Sequence, residues 1–95
     1  MAAEEVAIRD ARNLGPVTAE WLAAIGVATL ADLAALGAVE AYARLRFVHG
    51  RQVTRNALFG MEAAIRGVDW RSLTPDDKAR LDAAVRAREE GRRDA

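Results

Sequence analysis

A chain of 95 residues without cysteine is long enough to bury about 60–70% of its unfolded surface in one domain, and it excludes disulfides, thiolate metal sites and an enclosed cleft between domains. Fourteen basic and fourteen acidic residues cancel, so the molecule is not a polycation and any attraction to nucleic acid must come from a local patch. Hydrophobic residues form 52% of the chain and aromatics only 5%, an alanine-rich balance that favours closely packed helices over a sheet.

From Glu4 to Arg12, Val6, Ala7 and Ala11 share one helical face with Ile8 beside it, which predicts a short helix in an N-terminal extension of residues 1–12. Pro16 suits the first turn of the next helix, where Val17, Trp21, Leu22 and Ile25 form the expected buried stripe and Gly26 the expected left-handed stop. Thr29 with Asp32 reads as a cap for Leu30–Leu36, with Leu30, Leu33, Ala34 and Leu36 inward. Gly37 interrupts the pattern, and Val39, Tyr42 and Leu45 resume it over 38–46. Phe47–Gly50 reads as a connection. Thr54 is the expected cap of a helix through Arg66, on which Ala57, Leu58, Met61, Ala64 and Ile65 form the apolar face. Gly60 within it costs about 1 kcal/mol relative to alanine, which predicts the close approach of another helix. Gly67 stops that helix, and Thr74-Pro75-Asp76-Asp77 opens the last one, with Ala79, Leu81, Ala84 and Val85 as its apolar strip and residues 87–95 as a frayed tail. The expectation is an all-α single domain over 1–95, a small bundle of about five short helices of helix-hairpin-helix or SAM-like type. The acidic Met1–Glu5 is unlike a signal peptide, and no apolar run approaches the roughly 18 residues of a membrane span, so a cytoplasmic protein with no membrane partner is expected.

Chemistry concentrates in two places. The first is the Leu14–Thr18 turn, where the amides of Gly15, Val17 and Thr18 and the Thr18 hydroxyl are candidate donors to a phosphate; Pro16 has no N–H to give. A tight turn into a helix needs the same residues without any ligand, and the turn lacks the second glycine common in DNA-binding hairpins. The second is the run from Arg44 to Arg55, in which Arg44, Arg46, Arg51 and Arg55 occur without an acid and give a local charge near +4. These arginines, with Gln52 and also Thr54 or Asn56, are candidate contacts to nucleic-acid phosphates. The competing expectation is a solvated segment whose arginines pair with Glu40, Glu62 or the Asp76–Asp77 region. His49 is the only histidine and reads as a loop residue; neither a metal site nor a cofactor is expected. Trp21, Tyr42, Phe59 and Trp70 read as core, and Phe47 as the exposed exception. No nucleophile motif is recognisable and no carboxylate pair is fixed in a plausible cleft, so catalysis is not expected and no small-molecule substrate is evident.

Asn13-Leu14-Gly15-Pro16, Trp21-Leu22, Ile25-Gly26-Val27, Thr29 with Asp32-Leu33, Leu36–Tyr42, Asn56–Ala64 and Trp70, taken in this order, resemble the C-terminal domain of the TfoX (Sxy) family. The resemblance runs from about Leu14 to Leu81. It implies a small helical domain similar in outline to the C-terminal domain of the RNA polymerase α subunit, and a role associated with regulation of DNA uptake and natural competence. Phe47–Gln52 is a variable region, and its arginine, Arg51, belongs to no motif of that family. Two functions are therefore expected to compete: a regulatory module that contacts DNA backbone, and a module that binds a protein partner or a second copy of itself.

Overall fold

The computed structural model describes residues 6–94. Pro16 opens α1 (Pro16–Ala24) at the position where its missing N–H is not needed, and Gly26, at φ +91°, turns the chain away. α2 (Leu30–Leu36) begins with a capping box: the Thr29 hydroxyl accepts the Asp32 amide at 3.1 Å, and the Asp32 carboxylate accepts the Thr29 amide at 3.2 Å. Gly37 separates it from α3 (Ala38–His49). α4 (Arg55–Arg66) stops at Gly67 in the left-handed region. α5 (Pro75–Asp94) starts with a second reciprocal box, Thr74 and Asp77 exchanging two bonds of 3.0 Å. Three 3-10 turns, Ile8–Asp10, Gly50–Gln52 and Trp70–Ser72, complete the described elements. The fold is all-α, without strands among the described residues.

α3 is the hub and touches each of the other four helices. Its inward residues Ala41, Tyr42 and Leu45 meet Leu22 of α1, Leu33 of α2, and Leu58 and Met61 of α4 in one apolar core, closed by Leu81 and Val85 of α5. Each large side chain here contributes about 1.5–3 kcal/mol by leaving water.

The structure corrects several expectations. No α-helix forms over the described part of 4–12; Glu4 and Glu5 lie outside the described residues. Val6–Ile8 instead run beside Ala28–Leu30: the Ile8 amide donates to the Ala28 carbonyl and the Leu30 amide to the Val6 carbonyl, both at 2.9 Å. Those bonds use groups that a helix would pair internally. Val17 is 57% exposed and Ala19 takes its place in the core. Ala34, Ala79 and Ala84 are exposed as well, because a methyl group is too small to fix which face of a helix is buried. Phe47–His49 belong to α3 rather than to a connection, and α5 remains helical through 87–94. Gly60 is approached not by a helix but by the Asn13 main-chain oxygen, 2.7 Å from where a β-carbon would stand.

Candidate functional site

The first turn of α1 and the junction between the Gly50–Gln52 turn and α4 wall a groove of about 360 Å³. Gly15, Val17 and Thr18 line one side; Gln52, Thr54 and Asn56 line the other, with Trp21 between them. Two helix starts thus face one space. Neither is closed by a side chain: Gly15 has none to offer, and Thr54 makes no capping bond although the sequence suggested one. The amides of Val17 and Thr18 lie in the first turn of α1, where no carbonyl of the same helix can accept them. By contrast, the capping boxes of α2 and α5 satisfy their own first turns.

Asn13 fixes the approach to this groove. It adopts φ +76°, an uncommon conformation outside glycine. Its Nδ2 donates to the Val68 carbonyl at 2.6 Å, and its Oδ1 accepts the Trp70 amide at 3.0 Å. The turn before α1 is thereby tied to the segment between α4 and α5. A second tie is aromatic: Trp21 stacks on His49, with centroids 4.5 Å apart and planes 21° apart. His49 is consequently the last residue of α3 packed on α1, not a loop residue. Neither tie was visible in sequence, since both join segments distant along the chain.

The arginines of the run line different clefts and have different partners. Arg44 is held by Glu40 at 2.9 Å, and the same carboxylate receives two bonds from Arg88 at 2.7 and 2.9 Å. Those hydrogen bonds, Arg88 first and Arg44 second, pull the Glu40 pKa down to about 2. Arg55, at the start of α4, donates to the Asp82 carboxylate of α5 and to the Tyr42 hydroxyl of α3. Burial opposes the charge of Arg55, and these two bonds outweigh it and raise its pKa. Arg46 donates to the Val53 carbonyl at 3.2 Å and lies 6.0 Å from the Tyr42 ring centroid. Arg51 is exposed and, among the described residues, faces no carboxylate. The pairing with Glu40 anticipated from sequence is present, but Glu62 and Asp77 serve Arg66, and Asp77 also serves Arg80.

Of the eight candidate contacts, Gly15, Val17, Thr18 and Gln52 share the groove, and Arg51 adjoins Gln52 in the chain. Arg44 lines a different cleft with Ile25, Phe47, Val48 and Arg88, and Arg46 lines a third between α3 and α5. Arg55 is a structural tie. Among the described residues, two cations of the run therefore remain without an acidic partner, Arg46 and Arg51. Trp70, expected in the core, is 49% exposed, because its ring lies on the outer side of a 3-10 turn while Leu73 fills the core position next to it. Phe47 is 77% exposed, in keeping with its reading as the exception. Among the described residues no group of side chains has the makings of a metal site, and no helix is long and apolar enough to cross a membrane.

The family model described as the TfoX C-terminal domain matches residues 4–85. No curated protein and no solved structure matches the chain.

Proposed function

The chain belongs to the TfoX C-terminal domain family, and from that premise we propose that it is a non-enzymatic, competence-related regulatory module that holds nucleic-acid backbone in the groove at the start of α1. The observation that carries this reading is the meeting of two helix starts, without side-chain caps, in one groove lined by Gly15, Val17, Thr18 and Gln52. Amides at such positions sit at the positive end of the helix dipole and suit a phosphate oxygen. Arg51 supplies the nearest unpaired charge along the chain.

Binding of this kind is modest in its salt response. Each phosphate neutralised lowers affinity about 3- to 4-fold as salt rises from about 50 to 200 mM, so a groove served by Arg51 responds far less than the several thousandfold of a larger basic surface. Fluorescence anisotropy of labelled DNA at three salt concentrations tests the reading. Expected is weakly sequence-selective binding with that shallow slope, reduced by Arg51→Gln; no binding at the lowest salt would overturn it.

A second reading has its own observation. Val48 is 59% exposed beside Ile25 and Ala43, in a cleft of about 300 Å³ at the end of α3. Apolar surface of this sort suits a protein partner or a second copy. Light scattering over a concentration series tests it: mass that rises with concentration and returns to the monomer value in Val48→Asp supports self-association.

A further inference from the structure

We propose that the cleft next to the groove is a base-stacking subsite, lined by Trp70 and Phe59 with the Lys78 ammonium close to both rings, which takes one unpaired nucleobase and its adjoining phosphate. The inference rests on the nucleic-acid reading above and names the form bound there, a single strand. The cleft measures about 260 Å³ and is lined by Asn13, Asn56, Phe59, Gly60 and Trp70. Asn13 and Asn56 also line the groove at α1, so the two spaces share a wall.

Its chemistry differs from that of the groove. Trp70 leaves half of its surface to solvent. Its main chain is held by the bond from its amide to Asn13 Oδ1, so the 3-10 turn that carries the ring is anchored before any ligand arrives. Lys78 Nζ lies 5.3 Å from the Phe59 ring centroid and 5.9 Å from that of Trp70. Among the described residues no carboxylate pairs with Lys78; the nearby Asp77 is already engaged by Thr74, Arg66 and Arg80. An aromatic face beside an unneutralised ammonium group offers stacking to a base and charge to its phosphate. A duplex keeps its base faces covered, so only a base outside the stack can use Trp70.

The test compares the full chain binding a labelled homopyrimidine single strand, a duplex of equal length and an abasic strand, by anisotropy at low salt. Expected is tighter binding of the single strand than of either other probe. Trp70→Ala is expected to weaken the single strand about 5-fold or more while leaving the duplex unchanged, with Trp70→Phe retaining most of the affinity. Equal affinity for the pyrimidine and abasic strands would overturn the subsite and leave the backbone groove standing, and that comparison uses the unaltered protein, so it holds even where a Trp70 variant fails to fold. Absence of binding to all three probes would overturn both.

Discussion

The main-chain oxygen of Asn13 stands 2.7 Å from the point that a β-carbon on Gly60 would occupy. Helix propensity alone favours alanine there by about 1 kcal/mol. The opposing atom, however, belongs to a backbone pinned by two bonds from the Asn13 side chain, and it cannot rotate away as a flexible side chain would. Overpacking of this kind costs about 1–3 kcal/mol. Gly60→Ala is therefore expected to destabilise the protein by up to about 2 kcal/mol in urea unfolding, the reverse of the propensity effect. A gain in stability would show that the turn yields.

Asn13 itself joins the turn before α1 to Val68 and Trp70, residues 55 and 57 positions away. Removing both bonds is expected to cost about 1–3 kcal/mol. The φ of +76° adds a second effect, since alanine is strained there and glycine is not. Asn13→Ala is expected to be less stable than Asn13→Gly by about 1 kcal/mol; equal midpoints for the two would remove backbone strain from the account.

What the sequence revealed and what it concealed divide by distance along the chain. The capping boxes Thr29–Asp32 and Thr74–Asp77 were legible because both partners lie within one helical turn. The positive-φ stops at Gly26 and Gly67 were legible for the same reason. The groove was half legible: the donors of Leu14–Thr18 and Gln52 could be named, but nothing local places them face to face. The charge of the arginine run was legible in part: the answer to Arg44 from Glu40, one helical turn earlier, was within reach of the sequence, whereas the answer to Arg55 from Asp82, 27 residues downstream, was not. Buried faces were read correctly at leucine and misread at Ala34, Ala79, Ala84 and Val17, where too little apolar area is at stake to overrule the geometry of neighbouring elements.

Arg55 and Arg51 carry the same charge and have different tasks. Arg55 links the start of α4 to α5 through Asp82 and to α3 through Tyr42, whereas Arg51 lies exposed beside Gln52. Arg55→Gln is expected to lower stability by about 1–2 kcal/mol, as loss of hydrogen bonds to a charged group does, with little change in DNA affinity at temperatures where it remains folded. Arg51→Gln is expected to leave the denaturation midpoint in place and reduce affinity and its salt slope by about one phosphate contact. Parallel urea and anisotropy measurements on the two variants check this, and the opposite assignment of effects would return Arg55 to the binding surface.

Glu40 sets a pH response. Its carboxyl titrates at about 2 in the folded protein against an ordinary value of 4.5, because Arg88 and then Arg44 bond its charged form. A depressed carboxylate pKa means that the unfolded chain takes up the proton first, so the stabilisation is complete above pH 4.5 and drains away as pH falls toward 2. Solvent reaches part of the cluster, and screening limits the contribution to about 1–2 kcal/mol. Asp77 is also lowered to about 2, chiefly by the Thr74 backbone amide, and it titrates in the same direction. Comparison with Glu40→Gln separates the two, since Asp77 is present in both proteins. The variant is expected to be less stable at about pH 7 and to converge with the parent protein as pH approaches the folded-state value of Glu40. A constant gap across that range would mean that the introduced amide disturbs packing around Arg88, whose Nη1 is buried without a hydrogen-bond partner, rather than removing a charge interaction.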